Sequence, residues 1–200
     1  MKSIKITTTQ EDIIADQKRI NQYTNTPGKL PMSVFRPKLK FNINRGLSGY
    51  DIEELAKDGD WCKLDFDVYL PSKGMNLQRD FVWTIEQKRE LIISVLKGIR
   101  IPPVTFVQHI ESEDRKLRIL QVIDGKQRIS TLISFYRNEF PILYDGKEYF
   151  FKDLTDECQR EIDGCLHCDV GYSYWDTPIS DDDKIRWFEL INFAGTPQDE

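Results

Sequence analysis

The chain has 200 residues, 40% of them hydrophobic and 12% aromatic, enough for one core-forming domain, alone or with an extension. No apolar run approaches the length needed to cross a bilayer, and the first ten residues, MKSIKITTTQ, lack a signal-peptide core, so a soluble, cytoplasmic protein is expected. The net charge of −5 is uneven: residues 1–74 carry 12 basic and 10 acidic side chains, residues 75–137 carry 11 and 7, and residues 138–200 carry 5 and 16, so a basic centre suited to a polyanion precedes an acidic end that excludes a uniformly DNA-binding surface.

Residues 1–60 read as an N-terminal extension, mobile at its start, and residues 61–200 as the folded domain. The extension is polar. It predicts a short helix over residues 11–22, an edge strand over 34–43 that Pro37 keeps out of a sheet interior, and a helix over 50–57 capped by Ser48. Residues 62–69, CKLDFDVY, alternate apolar and polar side chains, which predicts one half-buried strand with Cys62, Leu64, Phe66 and Val68 inward. After the turn LQRDFVW, Thr84 and Gln87 form a capping-box pattern, and Lys88, Leu91, Ile92, Val95 and Leu96 share a helical face as far as Gly98. Trp83, an aromatic just ahead of a cap, reads as core.

Residues 104–110 and 117–123 are β-rich and joined by too few residues for a crossover helix, so they predict an antiparallel hairpin. Both faces of the second strand are apolar, which makes it central. Asp124 to Arg128, DGKQR, turns the chain, and from Ile129 the apolar period becomes helical through Leu132, Ile133 and Tyr136. Asp145-Gly146 predicts a tight hairpin, residues 156–164 a helix, residues 170–172 a strand, and Ser180 followed by three aspartates a strong helix start. In that last helix Ile185, Phe188 and Asn192 share a face. The amide is read either as a buried, hydrogen-bonded group or as a side chain aimed at a ligand.

A strand that breaks at glycine and opens a helix leaves unpaired N–H groups and a positive dipole end, which suits a phosphate. Lys126 and Arg128 add cations at the same place, Arg128 with paired donors. The competing reading is an ordinary turn with solvated charges. Cys165-Leu166-His167-Cys168 tempts one towards zinc, but Cys158, Ile162 and Cys165 lie at helical spacing and read as packing residues, so no metal site is assigned.

Three strings now stand together: Gln78-Arg79 with Val82-Trp83, then Asp124-Gly125-Lys126-Gln127-Arg128 with Thr131 beyond it, and Phe188 to Pro197 with Asn192 and Gly195. In order and spacing they resemble the domain of unknown function 262 family, over residues 62 to 198. Lys126 stands where glutamine is usual in that family, keeping a donor and adding a charge. The resemblance implies an α+β, ParB/sulfiredoxin-like mixed sheet with packed helices. It also implies the NTP-hydrolysing part of GmrSD-type restriction and phage-defence systems, often joined to an HNH nuclease domain. The implied cofactor is an NTP with Mg2+, and the implied partners are DNA and a nuclease domain or subunit.

On these residues, the N–H groups of Lys126 to Arg128 hold a phosphate and Arg128 neutralises its developing charge. Asp124 either holds Mg2+ or orients a water, or bonds its own turn. Arg79 is a second clamp or a surface ion pair, and Thr131 contacts phosphate or is exposed. Gln78, Gly125, Gln127 and Asn192 complete the candidate nucleotide site, with Asp124 and Arg128 as the catalytic pair. Two other functions compete: a DNA-binding module that uses the same turn on backbone phosphates, and a nuclease. The histidines, His109 and His167, are too far apart in the chain to build a compact HNH site, so the chain alone is not expected to cut DNA.

Overall fold

The computed structural model describes residues 28–29, 62–110, 118–174 and 178–193. The expected helices over 11–22 and 50–57 and the strand over 34–43 lie outside the described residues. The motif residues Gly195 to Pro197 lie outside them too.

Strands β5 (Val104–Ile110) and β6 (Arg118–Asp124) form the expected antiparallel hairpin. β6 pairs in parallel on its other side with β2 (Cys62–Asp65), and β5 pairs in parallel with β9 (His167–Tyr174). β1 (Gly28–Lys29) adds to β9, giving a five-stranded mixed sheet in the order β1-β9-β5-β6-β2. The β5–β6 register shifts between Thr105, opposite Asp124, and Phe106, opposite Val122. Ile123 is therefore the extra residue of a bulge at the end of β6, next to the turn, where a bulge re-aims the chain.

Helices cover both faces of the sheet, and their burial follows the periods in the sequence. α1 (Ile85–Leu96) begins on Thr84 with a complete capping box. α2 (Lys126–Tyr136) carries Ile129, Leu132, Ile133 and Tyr136 inward as the spacing predicts. α3 (Asp156–Gly164) is capped by Thr155. All three pack with Leu120, Val122, Phe106 and Val104 in the main core. α4 (Asp181–Phe193) lies on the opposite face, where Trp187 joins Ile123, Val107, Val68 and Leu70. β6 is thus buried on both sides, as a central strand must be. Two small hairpins, β3 (Tyr69–Leu70) with β4 (Met75–Asn76) and β7 (Ile142–Tyr144) with β8 (Lys147–Tyr149), stand outside the main sheet. Asp145 and Gly146 both take positive φ, 49° and 71°, the conformation a two-residue hairpin turn demands.

The single half-buried strand expected over 62–69 is corrected. β2 stops at Asp65, and Val68 has φ 51°. Asp65 is fully buried rather than solvent-facing. Its carboxylate accepts from the N–H groups of Asp67 and Val68, each at 3.0 Å, and from Gln121 Nε2 at 3.4 Å. A carboxylate that bonds backbone two and three residues ahead turns the chain out of the ladder. Lys184 of α4 is also buried, and loss of solvent lowers its pKa against the opposing pull of Asp181 and Asp65.

Cys165 packs against the main core, and burial pushes its thiol up to about 12, which keeps it protonated and inert at neutral pH. No described helix is long and apolar enough to cross a membrane.

Candidate nucleotide-binding cleft

The helix expected from Ile129 begins earlier, at Lys126. Gly125 is its N-cap, in the left-handed region at φ 101°, and supplies no side-chain cap. A Cβ here would sit 2.4 Å from Val104 Cγ1, so the glycine answers both a backbone conformation and a close approach to β5. The first intrahelical bond is Ile129 N–H to Gly125 O. Among the described residues the N–H groups of Lys126, Gln127 and Arg128 meet no acceptor, so the helix start remains open.

That open start faces a cleft of about 550 Å3 lined by Gln78, Arg79, Asp124 to Arg128 and Asn192, with Leu77, Trp83 and Phe188. The three strings, more than a hundred residues apart at their extremes, therefore converge on one concavity. Thr131 does not join them: it is fully buried on the inner side of α2, with a hydroxyl that has no partner among the described residues. It is neither exposed nor at the cleft, and shares a face of α2 with the buried Phe135 one turn on. Trp83, read as core, instead lines the cleft. Leu77 and Phe188 line the cleft as well, and their places beside Gln78 and inside the last motif string are the sequence signal that marks them.

The cations are not the free charges the sequence suggested. Lys126 is buried and its Nζ lies 2.7 Å from Asp67 Oδ1. Arg128 Nη2 lies 2.6 Å from Asp124 Oδ2 and also donates to Pro103 O at 3.0 Å. Asp124 thus bonds across the turn to Arg128, and its Oδ1 has no partner among the described residues. Each partly buried cation meets a carboxylate because an unpaired charge at that depth is costly. Arg79 is exposed and makes no ion pair among the described residues, which leaves it the available cation of the cleft.

The amides serve the architecture. Gln127 Oε1 accepts from Val82 N–H at 3.1 Å and Trp83 N–H at 3.3 Å, while its Nε2 donates to Asp80 O at 3.0 Å. It therefore fastens the segment carrying Arg79 and Trp83 to the first turn of α2. Gln78 Nε2 donates to Ile123 O, the carbonyl at the bulge. Asn192 is exposed, and its Nδ2 donates to Phe188 O at 2.8 Å, one turn back in α4.

The N-terminal domain family of the GmrSD restriction endonuclease matches residues 70–200, which takes in all three strings. The chain belongs to this family. It is 33% identical over 121 residues to an uncharacterised protein of Methanocaldococcus jannaschii, a match that covers 50% of this chain and 20% of that protein. The chain thus spans about a fifth of the length of this relative. No solved structure matches the chain.

Proposed function

We propose that the chain is the nucleotide-binding, NTP-hydrolysing domain of a DNA restriction system acting with a nuclease domain or subunit. What carries the reading is the convergence of the three strings on one cleft beside the uncapped start of α2. Three N–H groups and the helix dipole favour an anion, and Arg79 adds a positive charge that meets no carboxylate among the described residues. A phosphate that enters competes with Asp124 for Arg128. The carboxylate it displaces has an oxygen open among the described residues and is the one carboxylate among the described residues of the cleft lining, which fits an ion held by one or two carboxylates and by phosphate oxygens. Bound there, Mg2+ would draw charge from the phosphate oxygens. The chain itself positions the phosphate on the turn and aims the Arg128 guanidinium at it.

The ParB/sulfiredoxin-like form of the α+β fold belongs to the same proposal, supported by a mixed sheet whose central strand ends in the glycine turn. The tie to restriction rests on the family alone. In a titration with each NTP and Mg2+, Arg79→Ala should weaken binding at least tenfold and leave the fold intact, because the side chain is exposed and its loss removes a charge-assisted bond. Absence of NTP binding, or affinity unchanged in Arg79→Ala, would remove the reading.

A further inference from the structure

The cleft presents two kinds of chemistry. Backbone N–H groups and Arg79 offer only donors. Gln78 and Asn192 offer the opposite. A backbone carbonyl can only accept, so the Asn192 amide must turn its nitrogen to Phe188 O, and the Gln78 amide must turn its nitrogen to Ile123 O. The orientation of both amides is fixed by that chemistry, and their oxygens, Asn192 Oδ1 and Gln78 Oε1, meet no donor among the described residues. A phosphate carries acceptors and is repelled by such oxygens. They match a ligand portion that carries N–H or O–H groups.

The same lining includes Leu77, Trp83 and Phe188, apolar surface for which a polyphosphate has no use. Aromatic faces with nearby acceptors suit a planar heterocycle that carries N–H donors, and stacking of a base on an aromatic side chain is a strong, sequence-tolerant contact. Gln78 is tied to Ile123, immediately before Asp124 and the turn, whereas Asn192 comes from α4 on the far face of the sheet. The acceptor close to the phosphate turn therefore falls where a sugar would lie, and the acceptor on α4 where a base would lie.

We infer that the cleft has a nucleoside subsite in which the base stacks on Trp83 and donates to Asn192 Oδ1, while a ribose hydroxyl donates to Gln78 Oε1. The inference rests on the nucleotide reading above and adds to it that recognition extends beyond the phosphates. Gln127, whose amide is wholly engaged with the chain at Asp80 to Trp83, is a positioning residue and takes no part in it.

The test is a set of titrations on the full chain with Mg2+: inorganic tripolyphosphate, the four NTPs and the four nucleosides. At least one NTP should bind ten times more tightly than tripolyphosphate, and Asn192→Ala and Trp83→Ala should each reduce that ratio about tenfold, the size expected for loss of one hydrogen bond or one stacking contact. NTPs that bind no more tightly than tripolyphosphate would overturn the subsite and leave the phosphate site standing. So would a ratio unchanged in both variants. Nucleosides that bind while tripolyphosphate does not would support the subsite and overturn the phosphate reading. No binding by any of these ligands would overturn both. A single-stranded oligonucleotide that displaces the NTP at equal base concentration would assign the subsite to polymer bases and overturn its assignment to a free nucleotide.

Discussion

Three of the four helices among the described residues begin on a hydroxyl. Thr84 caps α1, Thr155 caps α3, and Ser180 Oγ accepts from Asp183 N–H at 3.1 Å at the start of α4. α2 begins on Gly125, which has no side chain to offer. The difference lies in what each start faces. The capped starts close off their own donors, whereas α2 opens its donors into the cleft and has its first turn held by Asp67, Asp124 and Gln127 instead. A helix start that has glycine in place of a capping side chain loses a few tenths of a kcal/mol of local stability. Here that loss falls where an anion would supply the missing acceptor, so the local rule is broken at the one start that lines a candidate site.

The sharpest way to break this comparison is to give α2 a side chain at its N-cap. Gly125→Ala puts a methyl group 2.4 Å from Val104 Cγ1 and holds an L-residue at φ 101°. Backbone strain and overpacking together should lower the unfolding free energy by about 2–5 kcal/mol. Denaturant melts would show it, and a loss under about 1 kcal/mol would mean that the turn adapts and that the close approach to β5 does not govern its geometry.

Gln127→Ala tests the other support of the same start. It removes the acceptor for two N–H groups and the donor to Asp80 O, all at exposed or half-buried positions. The expected loss is about 1–2 kcal/mol, modest because water can replace part of the network. Amide exchange should quicken at Val82 and Trp83, and NTP affinity should fall with the freedom given to Arg79. Protection unchanged at those two amides would show that the loop is held by something other than this glutamine.

Much of the architecture was legible because it rests on local period. The hairpin β5–β6, the switch from strand to helix at Gly125, the capping box at Thr84 and the Asp145-Gly146 turn each follow from spacing that a neighbouring residue can read. Residues 62–69 were misread for the converse reason. Asp65 occupies a polar position in an alternating pattern, and nothing adjacent announces that its carboxylate will be buried and bonded to Asp67, Val68 and Gln121. The site divides in the same way. The strings that converge were visible, but the pairing of Lys126 with Asp67, 59 positions away, is a tertiary fact without a sequence signature. Trp83 looked like core because aromatics before a cap usually pack inward, and only the loop geometry imposed by Gln127 turns it to the cleft.

The smallest effect is expected at a capped start, and it is the control for the other two. In Thr84→Ala the Oγ1 acceptor for Gln87 N–H is lost, and the reciprocal bond from Thr84 N–H to Gln87 Oε1 loses its partner in the box. Both groups are exposed, so water takes over part of each bond and the loss should be about 1 kcal/mol, read as a lower denaturant midpoint at unchanged slope. Thr84 directly follows Trp83, yet Trp83 is held by Gln127 from α2 rather than by the cap. NTP affinity should therefore stay within about twofold of the wild type, because frayed donors at α1 do not face the cleft. If Thr84→Ala weakened NTP binding as much as Gln127→Ala, the capped and uncapped starts would form one cooperative unit, and the separation of a stabilising helix start from a ligand-facing one would fail.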